Sequence, residues 1–138
     1  MSIAFHLKLV GAMLMLLALA HAAFPRYFGW REEFARVSLL SRQMFYVHTF
    51  FVAFTVFLMG ALACFGTGEL LRPALLSRWL LGALTLFWAV RFLFQFFIYS
   101  PQLWLGKKFE TRMHVLFAFF WAYVAGVFGW GLWHNLGS

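Results

Sequence analysis

The chain has 138 residues, of which 64% are hydrophobic, 22% aromatic and only 11% charged. Ordinary soluble domains carry charges on roughly a quarter of their residues, so this composition excludes one. The formal charge of +7 does not indicate nucleic acid. The basic residues flank apolar runs and form no stripe, which points to anionic lipid headgroups as their partner.

A spanning helix needs about 20 mostly apolar residues, and four stretches qualify, at about 3–24, 42–65, 76–99 and 112–133. The first contains Lys8 and has a rival reading. Its run "LVGAMLMLLALA" followed by "AHA" (Ala20 to Ala22) also resembles a cleavable secretory signal. The link that follows holds "GWREEFARVSLL", in which Trp30, Phe34 and Val37 recur at helical spacing between charges. That pattern predicts a short amphipathic helix at the interface. The second span is the clearest, with no Asp, Glu, Lys or Arg between Arg42 and Glu69. Pro73 leads into the third, and Pro101 disfavours helical geometry at Ser100. The fourth begins after Arg112 and meets no further Asp, Glu, Lys or Arg. The expected fold is all-α: a single transmembrane domain over 1–138, built as a four-helix bundle. The lone Cys64 excludes an intrachain disulfide and reads as a small packing residue.

Charge asymmetry sets the expected topology. Arg26, Arg31, Arg36 and Arg42 follow the first span, and Lys107, Lys108 and Arg112 precede the fourth, whereas the opposite side collects Lys8, Arg72 and Arg78. The positive-inside rule then puts links 25–41 and 100–111 in the cytoplasm and both termini outside. A cleaved signal would put both basic links outside, so charge balance favours a retained first helix. Tyr27, Trp30, Trp79, Tyr99, Trp104, Trp130 and Trp133 fall near the span boundaries, as an aromatic belt requires.

This topology gathers polar residues in one leaflet. His48 and Arg91 fall roughly 10–12 Å below the cytoplasmic interface and His21 and His114 about 3–5 Å, at 1.5 Å per helical residue. Arg91 and Gln95 are one turn apart in "FWAVRFLFQFFIYSP", on a face shared with Leu84 and Trp88. On the fourth span His114, Ala118, Ala122 and Gly126 make an i, i+4 stripe. Small residues at that spacing allow close helix approach in lipid, so the stripe is expected to pack inward. An arginine at a span centre costs about 2.5–3.5 kcal/mol on insertion scales. Three readings answer it: snorkelling toward headgroups, an ion pair with Glu32, Glu33 or Glu110 folded inward, or donation with His48 to an anionic or carbonyl-bearing ligand.

The runs "LLSRQMFYVHTFFVAF" and "FWAVRFLFQFFIYSP" carry Arg42-Gln43-Met44-Phe45 and Arg91 with Gln95-Phe96-Phe97. On these motifs, over the second to fourth spans, the chain resembles an uncharacterised family of small bacterial four-span integral membrane proteins. The resemblance implies architecture and a bacterial inner membrane, and transfers no catalytic residue. No two histidines lie at i, i+3 or i+4, and no CxxC, CxxCH or HExxH occurs, so the spacing makes no case for a metal. A haem would need two of His21, His48 and His114 at one iron. The leading expectation is a non-catalytic accessory or scaffold subunit of a membrane complex, associating with other subunits or with itself. The alternative is a redox-linked component binding a quinone, lipid headgroup or haem through His21, His48, Arg91, Gln95 and His114. A small transporter or channel is the third, disfavoured by the scarcity of intramembrane polar groups and by the lack of an obvious repeat.

Overall fold

The computed structural model describes residues 1–138, which form helices and short turns and no strand. The helices are α1 (Ile3–Ala20), α2 (Phe24–Tyr27), α3 (Trp30–Glu33), α4 (Leu39–Phe65), α5 (Thr67–Leu71), α6 (Leu75–Phe97) and α7 (Lys108–Leu136), with 3-10 turns at His21–Ala23, Phe34–Arg36 and Pro101–Leu103. Four stretches are long and apolar enough to cross a membrane: Ile3–Tyr27, Leu39–Phe65, Leu75–Phe97 and Lys108–Leu136. The chain is therefore an all-α, multi-pass membrane protein of the four-helix class. A membrane interior offers backbone groups no partners, and long helices satisfy them within themselves.

The chain divides into two compact units, 8–66 and 1–7 with 67–138. In the first, α1 and α4 meet through small residues. A Cβ on Gly11 would lie 2.5 Å from the Gly60 carbonyl O and the Cys64 N, and one on Gly60 2.7 Å from the Gly11 carbonyl O. The two backbones touch here, and only residues without a Cβ permit it. The linker between them is not the one amphipathic helix expected: α3 gives way to the 3-10 turn at Phe34–Arg36, and Val37 is extended and exposed. Gly29 turns the chain at φ +64°, and Trp30 and Phe34 then pack on Phe45, with ring centroids at 4.7 and 4.6 Å. The Ser38 side chain caps α4 by accepting from the Ser41 N–H.

The second unit is built on the antiparallel pair α6 and α7. Its seam is heptad-spaced: Ser77, Leu81, Leu84, Trp88 and Gln95 are buried on α6, and Trp121, Val124, Phe128, Gly131 and Asn135 on α7. Spacing that alternates between three and four keeps one stripe of each helix facing its neighbour. Trp88 stacks on Trp121 with centroids 5.3 Å apart, and Phe117 stacks on Trp121 at 5.8 Å.

This seam is not the expected stripe. Ala122 and Gly126 are exposed, Ala118 is half-buried, and a Cβ on Gly126 would meet nothing within 4 Å. α6 brings large side chains to the contact, and these gain more from the rings and branched residues of α7 than from a narrow alanine stripe. Gly131, facing Leu81, is the one glycine buried in the seam.

Candidate functional site

Arg91 lies on the α6 seam, six residues before the helix ends at Phe97, which is about 9 Å along the axis. The i, i+4 spacing puts Gln95 over the same face, one turn nearer the end. The antiparallel hairpin then brings in the first turns of α7. Arg91 Nη1 donates to Gln95 Oε1 at 3.4 Å. Gln95 Nε2 donates to His114 Nδ1 at 3.0 Å and to the His114 carbonyl O at 3.3 Å. With Nδ1 accepting, the neutral His114 ring carries its proton on Nε2. Arg91, Gln95 and His114 therefore form one directed chain from a cation on α6 to an imidazole on α7.

The 3.4 Å bond is long, so aromatic rings do most of the holding. The guanidinium carbon sits 4.5 Å from the centre of the Trp121 ring and 5.5 Å from that of Tyr99. Contacts of this kind contribute about 0.5–2 kcal/mol, more where water is absent. No glutamate comes within 4.0 Å of Arg91; the chain's one ion pair is Glu69–Arg72. Of the readings open from sequence, the ion pair is thus not made, and Arg91 is held inside the hairpin by two rings and an amide. His114 is fixed in turn by Trp104, stacked at 4.4 Å and 14°. Thr111 Oγ1 donates to the Trp104 carbonyl O at 2.6 Å, locking that tryptophan over α7.

Two other predicted residues lie in the other unit, and each is bonded to its own helix. His48 Nδ1 donates to the Met44 carbonyl O at 2.7 Å and is exposed. His21 Nδ1 donates to the Leu17 carbonyl O at 2.8 Å. Both rings keep Nε2 outside these bonds. Three metal-ligating side chains come together nowhere in the chain.

Sequence reasoning passed over a second polar centre, at the opposite end of the hairpin. Asn135 is fully buried. Its Nδ2 donates to the carbonyls of Leu70 and Arg72 at 2.9 and 2.6 Å. Arg78 Nε donates to Asn135 Oδ1 at 3.1 Å, and Arg78 Nη2 to the Asn135 carbonyl O at 3.3 Å. One amide thereby closes the α5–α6 turn onto the last turn of α7. The available signal was an asparagine in an otherwise apolar helix end, a residue type that is seldom buried without partners. Nearby, His6 Nδ1 and the Tyr123 hydroxyl are 2.7 Å apart, with Trp130 against the imidazole at 5.6 Å.

No protein-family model, curated protein or solved structure matches this chain. Its own geometry therefore carries the functional reading. The chain belongs to the multi-pass, all-α membrane proteins by its four membrane-length helices.

Proposed function

We propose that this protein is an integral subunit of a bacterial inner-membrane complex, acting as a scaffold rather than as a catalyst. The observation that carries this reading is the internal closure of the Arg91 cluster. The cation is taken up by Trp121, Tyr99 and Gln95, and both ends of the Gln95 amide are used. A polar network whose members bond to one another rigidifies a core, and this one ties α6 to α7. What the molecule offers outward is aromatic: Phe50, Phe51 and Phe54 on α4 and Phe87 and Phe94 on α6 are all exposed. Such rows suit contact with other helices within a bilayer. The bacterial inner membrane is supported by the resemblance of the Arg42 and Arg91 motifs to small four-span proteins. The positive-inside rule supports cytoplasmic links 25–41 and 100–111 and external termini.

Purification at native expression level in mild detergent tests the scaffold reading. A stoichiometric membrane partner is expected, and it should be lost when Phe87 and Phe94, exposed on α6, become alanine. A stable, lone monomer counts against the proposal.

One observation favours a second reading. The indole nitrogens of Trp88, Trp104 and Trp121 are buried and unpaired, and two of these rings flank Arg91 and His114. Buried donors without acceptors cost about 1–3 kcal/mol each, which a quinone carbonyl or a lipid phosphate entering the cluster would relieve. Lipid extraction and a visible spectrum of the purified protein test it. A bound quinone that is lost in Gln95→Leu supports this reading; no quinone, no bound lipid and no haem bands remove it.

A further inference from the structure

Outside the Arg91 cluster, the unit 8–66 carries an open groove of about 340 Å³ between the end of α1 and the face of α4. That volume is in the range of small-molecule sites. Its body is apolar, floored by Ala18 and Ala22 on one side and by Ala53 and Phe57 on the other. The alanines leave the space; longer side chains at these positions would close it. Its other end is polar, with His21, Tyr46 and Thr49 gathered beside Pro25. His21 Nδ1 and the Thr49 hydroxyl already donate to the Leu17 and Phe45 carbonyls, so neither of these protons is available to a ligand.

The dimensions match one acyl chain. From Tyr46 to Phe57 the groove follows α4 for eleven residues, or about 16 Å. Half of a hydrocarbon core roughly 30 Å thick is about 15 Å, the depth reached by one acyl chain in one leaflet. The charges agree with this. Arg42, Tyr46, Thr49, Ala53 and Phe57 recur at spacings of four, three, four and four, so Arg42 continues the groove floor toward the headgroup layer. Arg26 directly follows Pro25 at the other lip. Neither arginine has a carboxylate within 4.0 Å, since the one ion pair of the chain is Glu69–Arg72.

We propose that this groove holds one acyl chain of an anionic phospholipid, with the phosphate seated on Arg26 and Arg42 at its mouth. The proposal rests on the chain being an integral membrane protein. It does not depend on a protein partner, so failure of the scaffold experiment leaves it standing.

Native mass spectrometry of the full chain, delipidated in mild detergent, tests it with phosphatidylglycerol and phosphatidylcholine of identical acyl chains. Wild type is expected to retain one phosphatidylglycerol with a preference of roughly 30-fold, about fivefold for each arginine near the headgroups. Arg26→Gln with Arg42→Gln should abolish the preference while leaving helix content unchanged. Ala53→Trp should lower retention of both lipids by filling the groove. The proposal is overturned by equal retention of the two lipids in wild type, or by a preference that survives the double arginine variant. Retention unchanged in a folded Ala53→Trp variant, or a quinone displaced by that substitution, overturns it as well. The arginine pair lies outside the apolar stretch and decides the matter even if Ala53→Trp fails to fold.

Discussion

The contact of α1 with α4 at Gly11 makes the sharpest demand on a single residue. Gly11→Ala adds a methyl group whose carbon would lie 2.5 Å from the Gly60 carbonyl O and the Cys64 N, where ordinary contact begins at 3.4 Å. Both obstacles are backbone, so no side chain can rotate away and the helices must part by about 0.9 Å. A gap of that size forfeits a quarter to a half of each dispersion contact along the crossing. Overpacking of this kind costs about 1–3 kcal/mol, and the better helix propensity of alanine returns up to about 1 kcal/mol. The net loss should be about 1–2 kcal/mol. Equilibrium unfolding in mixed micelles of mild detergent and dodecyl sulfate, followed by far-ultraviolet circular dichroism, measures it. Gly126→Ala and Gly82→Ala are the controls, because a Cβ at either site meets nothing within 4 Å. They should be neutral or stabilising by up to about 1 kcal/mol. If Gly11→Ala is as stable as wild type, or Gly126→Ala loses as much, the assignment of the close crossing to Gly11 and Gly60 is wrong.

Further outcomes follow from the two polar centres and the links. Arg91→Lys keeps the charge but loses the flat guanidinium that lies against Trp121, and should cost about 0.5–2 kcal/mol in the same unfolding assay. A neutral result would mean that the ring contact contributes nothing. Gln95→Leu cuts the only bond from Arg91 to His114 and should cost about 1–3 kcal/mol; NMR of a ring-labelled His114 should show the loss of its Nδ1 partner. Asn135→Ala leaves the carbonyls of Leu70 and Arg72 without their donor, and hydrogen exchange should rise across residues 67–75 and stay unchanged in α4. Single cysteines at Ser38 and Gln102, in a Cys64→Ser background, should react with an impermeant thiol reagent only from the cytoplasmic side. Labelling of either from outside refutes the topology.

The four membrane-length helices were legible because apolar length is a local property, summed over consecutive residues. The meeting of Arg91, Gln95 and His114 was also accessible: one turn separates the first two, and the short link after Tyr99 returns the chain beside them. Rotation about a helix axis was less accessible. His48 shares the expected depth of Arg91, yet it faces outward and bonds to Met44, because depth says nothing about which neighbour a face meets. The small-residue stripe of α7 misled for a related reason. Periodicity defines a face, but the partner helix selects among faces, and Trp88 selected Trp121. Gly11 and Gly60 went unremarked since each is alone in its helix, and their significance lies in a distance between helices. Asn135 was overlooked because its partners, 63 and 65 residues away, leave no mark on the local pattern.

That last separation has a consequence for the order of events during synthesis. At roughly 5–20 residues per second, Asn135 emerges about 3–13 s after the turn it closes. Through that interval the carbonyls of Leu70 and Arg72 are without their final donor, and the turn depends on what is nearby. Two local contacts are ready first: the Glu69–Arg72 pair at 3.0 Å and the Ser77 hydroxyl donating to the Glu69 carbonyl O at 2.7 Å. The α5–α6 turn is thus held provisionally by its neighbours and sealed only once α7 is in place. Closure of this turn onto α7 therefore follows synthesis of the last turn of that helix.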